Sequence, residues 1–320
     1  MTYVYDKGGP RGPPSFYERQ TMKPKITMFL CGVLIAVLIV SVSLLTAYFW
    51  KSKQQARFYS ALVAARAQDT QQEIASQSSV QPTSRNLYLE NADMIGWIQI
   101  EGTSIDYPVM QTPTDPTYYL KHDFEKHYTD YGCPFMQADC DALCPSDNLI
   151  IYGHNMKDGS MFADLAKYRS KDFWQSHKTV WFDTALGSSA YEIFAVTHTT
   201  VQVDSADAFP FYRFVDAAAP EEFADYVSAC QARALYDTDI SAEYGDKLLT
   251  LSTCDNITDN GRLLVIAKQT ETKIYENNKG TPARMVVCAR TRQLRRNEKH
   301  PECFDAAGTA RWCRSGWLGI

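Results

Sequence analysis

Positive charge is scarce in the middle of this 320-residue sequence. Residues 1–53 and 271–320 each carry a net charge of +5, so the overall charge of −5 leaves −15 for residues 54–270. An acidic surface repels the phosphate backbone, which argues against nucleic acid as a partner. The sequence also contains no internal repeat, which argues against a solenoid or another repeat architecture.

Charge is absent altogether from residues 26–50, where Leu, Ile, Val, Ala and Phe dominate. A helix of this length, at about 1.5 Å per residue, exceeds the roughly 30 Å of a bilayer core. Tyr48 and Trp50, followed by Lys51 and Lys53, are typical of a membrane interface and make a poor signal-peptide cleavage site. We therefore expect a retained single-pass anchor. The basic residues on its two sides favour a cytoplasmic N-terminus only slightly.

The nine cysteines lack the regular pattern of a disulfide scaffold. Their number is odd, and Cys31 lies within the predicted membrane span. Three others, Cys133, Cys140 and Cys144, lie close together in the central part of the chain. A local disulfide such as Cys140–Cys144 and unpaired thiols are both compatible with this spacing.

Composition divides the chain into five parts. Residues 1–25 form a short cytoplasmic tail, and the transmembrane anchor at residues 26–50 follows. Residues 51–86 are predicted to form a helical stalk that ends in a linker rich in Ser, Thr, Gln and Pro. A folded domain is expected at residues 87–270. The apolar periodicity then stops, and residues 271–320 form a basic tail that is predicted to be disordered.

The folded part is predicted to be mainly β. Apolar runs bounded by Gly, Pro and polar residues indicate seven strands: residues 96–102, 105–110, 148–152, 179–183, 191–200, 247–252 and 263–268. Helices are expected at residues 161–168 and 220–233, and Pro220 stands at the first position of the second helix. Many short strands with few helices favour a barrel over repeated βαβ units.

A cysteine nucleophile needs an accessible thiol, a base beside it and donors for the developing oxyanion. Cys254 is predicted to follow the strand at residues 247–252 and to open a polar loop, and Arg262 opens the next strand. Pairing of these strands would return Arg262 beside Cys254, where its permanently charged guanidinium can donate to an oxyanion. Among six histidines, His154 is the candidate base, because it follows an apolar strand across Gly153, which permits a sharp turn.

Two neighbours of these residues are weaker candidates. Asp255 could orient a catalytic group, although capping of the following loop is the ordinary role of an aspartate at such a place. Asn155 could position His154.

Three segments resemble the catalytic blocks of the sortases and occur in the same order. They are Tyr152-Gly153-His154-Asn155-Met156, Thr250-Leu251-Ser252-Thr253-Cys254 and the strand that begins Gly261-Arg262. The segments at residues 118–124 and 131–136, and the helix at residues 220–233, are similar to the class B branch. The resemblance covers residues 87–270 and implies a closed β-barrel with peripheral helices, preceded by a helical stalk and one transmembrane helix.

This resemblance implies a cysteine transpeptidase on the outer face of the cell membrane, with the N-terminus in the cytoplasm. Such an enzyme cuts the sorting signal of a secreted protein and holds the acyl part as a thioester, here on Cys254. It then transfers that part to an amine of peptidoglycan or to a pilin lysine. His154 is expected to exchange protons with the leaving and entering amines, and Arg262 to stabilise the oxyanion. The resemblance implies no cofactor and no metal.

Two other hypotheses stay open. A cysteine peptidase with the same residues would hydrolyse cell-wall peptides, with water as the acceptor. The second hypothesis is a zinc-stabilised extracellular binding or sensor module, which is not an enzyme. It is considered because His122 and His127 lie near Cys133, Cys140 and Cys144 in the sequence and could bind zinc with them. The spacing of these cysteines is irregular for a zinc site.

Overall fold

The computed structural model describes residues 24–76, 85–200, 208–255 and 261–274. The chain divides into two compact units, residues 1–54 and 55–320. The cytoplasmic tail predicted before residue 24, most of the predicted linker and the basic tail beyond residue 274 lie outside the described residues.

The first unit contains the beginning of a long helix, α1 (Pro24–Ser76). Its side chains from residue 28 to residue 50 are all exposed, and most of them are apolar. By length and composition alone, the stretch Met28–Gln68 is long and apolar enough to cross a membrane. An exposed apolar surface of this extent is unfavourable in water and indicates a membrane or a partner surface.

The second unit, in the part of the chain that the structure describes, is a closed barrel of eight strands. They are β1 (Met94–Gln99), β2 (Asp106–Met110), β3 (Phe135–Met136), β4 (Asn148–Tyr152), β5 (Thr179–Thr184), β6 (Gly187–Thr200), β7 (Leu248–Asp255) and β8 (Gly261–Ile274). The peripheral helices are α2 (Arg85–Glu90), α3 (Lys171–Ser176) and α4 (Pro220–Ala232). Short 3-10 helices lie at Tyr118–Leu120, Ala163–Arg169 and Phe211–Arg213.

The order of strands around the barrel is β1-β2-β3-β4-β7-β8-β6-β5. β4 and β7 are parallel and stay in register from Asn148 opposite Leu248 to Tyr152 opposite Ser252. β7 and β8 are antiparallel. The carboxyl ends of β4 and β7 therefore meet at one end of the barrel, and the start of β8 returns to the same end.

The central strands are buried on both faces, which explains their continuous apolar runs. Leu149, Ile150 and Ile151 of β4 are at most 1% exposed. α4 begins with a proline and two glutamates, as its sequence predicts, and buries Phe223 and Tyr226. The ring of Tyr226 stacks on the ring of Phe214 with a centroid distance of 4.0 Å.

The predicted strands are all present, but several bounds differ. β7 continues through Asp255, because β8 pairs with it as far as Gly261, so Cys254 lies inside the strand and not after it. β6 begins at Gly187 and is longer than expected. The helix expected at residues 161–168 is a 3-10 helix that begins later, since Met161 has a φ of 57° and cannot start a right-handed helix.

The second unit also includes the last part of α1, which packs on the barrel. Tyr59 is buried and donates a hydrogen bond from Oη to the carbonyl oxygen of Gly132 across 2.7 Å. Arg66 pairs with Asp106 at 3.3 Å and with Asp183. A largely buried guanidinium between two carboxylates holds this part of the stalk firmly on the barrel.

Candidate active site

Cys254 lies near the end of β7, and Arg262 lies directly opposite it on β8. Residues that face each other in an antiparallel pair project on the same side of the sheet, with Cβ atoms about 5 Å apart. Both side chains are partly exposed, whereas Thr253 and Asp255 beside the thiol are buried. The predicted pairing of these strands is confirmed, so the thiol and the guanidinium share one face.

The parallel pairing of β4 with β7 brings His154 to the same place. β4 ends at Tyr152, but three hydrogen bonds continue the contact with β7. They are Gly153 N to Ser252 O (3.1 Å), Thr253 Oγ1 to Gly153 O (2.8 Å) and Asn155 Nδ2 to Cys254 O (3.0 Å). These bonds hold the segment from Gly153 to Asn155 beside the end of β7 that carries Cys254.

Position 153 needs a glycine because there is no room for a side chain, and not because the backbone is left-handed. Its φ is not positive, unlike that of Gly132. A Cβ at Gly153 would lie 2.5 Å from the ring of Phe162, which is fully buried. The backbone N–H of Phe162 in turn donates to the carbonyl oxygen of His154 across 2.8 Å. Gly153 therefore does not serve the expected sharp turn. It allows the backbone to pass close to the ring of Phe162.

The imidazole of His154 is oriented by a backbone carbonyl. Its Nε2 lies 2.8 Å from the carbonyl oxygen of Leu120. A carbonyl oxygen can only accept, so Nε2 carries a proton and donates. Nδ1 is then the ring nitrogen that is left to exchange a proton with a reacting group.

Burial lowers the pKa of His154, because desolvation disfavours the imidazolium. The hydrogen bond to Leu120 opposes this effect. The charges of Lys121 and Arg262 lower the pKa further, and the carboxylate of Asp130 raises it. The influence of Arg262 is consistent with a guanidinium close to the imidazole. The structure therefore brings the three residues predicted from the sequence to one end of the barrel.

The carbonyl group of Leu120 is a part of the site that the sequence did not reveal. It ends the 3-10 helix Tyr118–Leu120 and is packed against Gly132, whose φ is 59°. A Cβ at Gly132 would lie 2.7 Å from the Leu120 oxygen. Backbone acceptors leave no mark on side-chain patterns. The one sequence feature that pointed to this region was the similarity of residues 118–124 and 131–136 to the class B branch described above.

Asp255 points to the other face of β7 and lies in a buried ion-pair cluster. Its carboxylate is 2.5 Å from Nη2 of Arg169 and also contacts Nδ1 of His198. The side chain of Asp255 is only 1% exposed. The loop that Asp255 was expected to cap, residues 256–260, lies outside the described residues, so that role stays a prediction.

The expected zinc ligands do not converge. Among the residues that the structure describes, no group of three or more His, Cys, Asp or Glu side chains is arranged to hold a metal ion. The ring of His122 stacks on Tyr118 with a centroid distance of 3.9 Å, and its Nδ1 donates to the carbonyl oxygen of Tyr118. His127 is 72% exposed beside Asp123 and Glu125.

The clustered cysteines have separate environments. Cys133 and Cys140 are buried, and each thiol donates to a backbone carbonyl, that of Pro108 and that of Asn148. Burial raises the pKa of Cys133, so this thiol is inert. Cys140 is a free cysteine, so the local Cys140–Cys144 bridge is not formed.

A thiol, an imidazole and a guanidinium at one end of a closed barrel define a site suited to acyl transfer through a cysteine. The sortase domain family matches residues 98–270, which is more than half of the chain. The chain therefore belongs to the sortase family.

Individual relatives agree with this assignment. The chain is 38% identical to sortase B of Listeria monocytogenes over 188 residues, which is 58% of this chain and 72% of that protein. It is 29% identical to sortase B of Staphylococcus aureus over 194 residues, or 60% of this chain and 76% of that protein.

A solved structure shows the same fold. The Staphylococcus aureus sortase B–substrate complex superposes with a TM-score of 0.61 at 27% identity and covers 69% of this chain and 98% of its own. The predicted closed barrel and the likeness to class B are confirmed, and the enzyme is a sortase-type cysteine transpeptidase.

Proposed function

We propose that this chain is a membrane-anchored transpeptidase that cleaves a sorting signal of secreted proteins and joins the acyl part to an amine of peptidoglycan or of a pilin. Cys254 is the nucleophile, His154 the group that transfers protons, and Arg262 the donor to the oxyanion. The pairing of β4, β7 and β8 supports the proposal, since it sets Arg262 opposite Cys254 and brings the end of β4, just before His154, to the same end of the barrel. Membership of the sortase family supports the reaction class.

In the first half of the reaction, the Cys254 thiolate attacks the carbonyl carbon of the scissile amide. The carbonyl oxygen becomes negative and accepts hydrogen bonds from the guanidinium of Arg262. The C–N bond then breaks, and the amine leaves with a proton from Nδ1 of the His154 imidazolium. A lowered pKa makes this imidazolium a stronger acid, which favours release of the amine. The acyl part stays on Cys254 as a thioester.

In the second half, an acceptor amine attacks the thioester. The neutral imidazole of His154 takes a proton from the attacking nitrogen at Nδ1, and the Cys254 thiolate leaves as the new amide forms. Arg262 again stabilises the oxyanion. The hydrogen bond from Nε2 of His154 to Leu120 holds the ring in one orientation through both halves.

The location follows from the substrates of this reaction. Secreted proteins and cell-wall amines lie outside the membrane, so the barrel lies outside and the N-terminus in the cytoplasm. The long apolar part of α1 supports its role as the anchor. The basic residues that flank it agree weakly with this orientation.

The experiment uses full-length protein in detergent and a library of peptides that carry candidate sorting signals. Products are identified by mass spectrometry with and without an added amine. We expect cleavage by the native protein, an amide product when the amine is present, and neither with Cys254→Ala. Cys230→Ala is the matched control, because Cys230 is a buried thiol on α4. Cleavage that persists in Cys254→Ala would rule out the proposal. Exclusive hydrolysis in excess amine would favour a cysteine peptidase instead.

A further inference from the structure

The buried cluster of Asp255, Arg169 and His198 joins three elements behind the nucleophile. Asp255 is the last residue of β7, His198 lies on β6, and Arg169 ends the 3-10 helix Ala163–Arg169. The carboxylate is 1% exposed, whereas the side chains of Arg169 and His198 are each 32% exposed. The negative charge is thus the innermost member of the cluster.

A carboxylate this deeply buried is unfavourable unless other groups compensate its charge. Arg169 supplies a permanent positive charge at 2.5 Å from Oδ1. His198 places Nδ1 in contact with Oδ2 of the same carboxylate. Removal of either partner leaves the carboxylate of Asp255 less compensated, and removal of Asp255 abolishes the contact that the three elements share.

The segment that begins at His154 contacts β7 at two consecutive residues. Asn155 donates to the backbone carbonyl oxygen of Cys254 across 3.0 Å. Arg169 contacts the carboxylate of Asp255, the next residue. The chain from His154 to Arg169 therefore contacts two consecutive residues of the strand that carries the thiol. This double contact joins the segment that carries the imidazole to the strand that carries the thiol.

We propose that Asp255, Arg169 and His198 are positioning residues that hold Cys254 at the correct distance from His154. The inference rests on the proposed function, because it concerns the geometry of the same reaction. None of the three touches the substrate in this account. Their effect is exerted through β7, and a displacement of about 1 Å at a reacting atom can reduce a rate about 100-fold.

The test compares variants of the full-length protein in detergent with one cleavable peptide. Asp255→Ala and Arg169→Met should each lower kcat by about 10- to 100-fold, because both release the strand end, while KM changes less than about twofold. The double variant should be no worse than the worse single variant, since both changes break the same contact. Asp255→Asn keeps the shape and one acceptor, so it should recover part of kcat.

Asp246→Asn is the matched control. Asp246 precedes the other end of β7 and pairs with Lys268 at 3.9 Å in a more exposed ion pair. It should leave kcat within about twofold of native, as expected for a surface pair. Thermal unfolding of each variant shows whether the protein is folded at the assay temperature. If Asp255→Ala is not folded, Asp255→Asn and Arg169→Met carry the test.

A second measurement does not depend on peptide cleavage. The rate at which iodoacetamide alkylates Cys254 at fixed pH should fall at least about fivefold in Arg169→Met, because the thiolate loses its aligned imidazolium partner. If the native protein cleaves no peptide, the proposed function is refuted. The alkylation rates would still show whether the cluster affects Cys254. Folded variants with native kcat and native alkylation rates would overturn the positioning role. Strictly additive losses in the double variant would overturn it as well.

Discussion

His154 donates a hydrogen bond from Nε2 to the carbonyl oxygen of Leu120 across 2.8 Å. The acceptor belongs to the backbone, so no side-chain substitution at residue 120 removes it directly. The bond assigns proton exchange to Nδ1 and ties the orientation of the imidazole to the segment from Tyr118 to Gly132. The charges on that segment therefore act on the imidazole from a fixed position.

Two substitutions on this segment should move the pKa of His154 in opposite directions. Lys121→Met removes a positive charge that opposes the imidazolium, so the pKa should rise. Asp130→Asn removes a negative charge that favours the imidazolium, so the pKa should fall. Both groups are partly exposed, so each shift should shrink in high salt, as screened charges do. NMR titration of the His154 ring measures both shifts. Two shifts of the same sign would contradict the assigned environment.

Arg262→Lys should reduce kcat by about 100-fold, with a smaller effect on KM, because an ammonium does not reproduce the planar fork of donors that a developing oxyanion requires. Steady-state kinetics on a cleavable peptide measure the change. Lys268→Arg, on the same strand but at the far end of its pairing with β7, is the control and should stay near native activity. A loss of less than threefold in Arg262→Lys would remove Arg262 from the chemistry.

Gly153→Ala should damage both stability and activity, since the added methyl group would meet the ring of buried Phe162. Forcing a methyl group into a packed site destabilises by about 1–3 kcal/mol, measured as the free energy of unfolding in urea. Phe162→Leu should make room, so the double variant should be more active than the sum of the single effects predicts. Additive losses would show that the two residues do not compete for the same space.

Arg66→Met should detach the end of α1 from the barrel, because Asp106 and Asp183 would be left near each other without their cation. Breaking a buried pair in this way lowers the free energy of unfolding by about 3–5 kcal/mol. Replacing both aspartates with asparagine in the Arg66→Met background should restore part of the loss, as urea unfolding can show. A triple variant less stable than Arg66→Met would contradict this explanation.

The sequence allowed the barrel to be predicted because most of its strands carry long apolar runs with clear ends. β3 was missed, since Phe135–Met136 is too short to show a period. The end of β7 was placed too early because Asp255 is charged and precedes a polar stretch. Its burial depends on Arg169 and His198, whose nearness is set by tertiary packing.

The candidate site could be predicted for a related reason. Cys254 and Arg262 are separated by eight positions, so the pairing of two adjacent strands already places them together. His154 is a hundred positions away, and only the parallel contact of β4 with β7 brings it near. The Leu120 carbonyl and the cluster around Asp255 could not be inferred, because backbone acceptors and buried ion pairs across the chain have no local pattern.

Isolation of the acyl-enzyme tests the central claim most directly. The full-length protein is mixed with a cleavable peptide in the absence of an amine, quenched in acid and digested for peptide mapping by mass spectrometry. The account predicts that the acyl part of the peptide is attached to Cys254 and is released by hydroxylamine as a hydroxamate. An acyl group found on another residue, or cleavage with no adduct on Cys254 at any quench time, would contradict it.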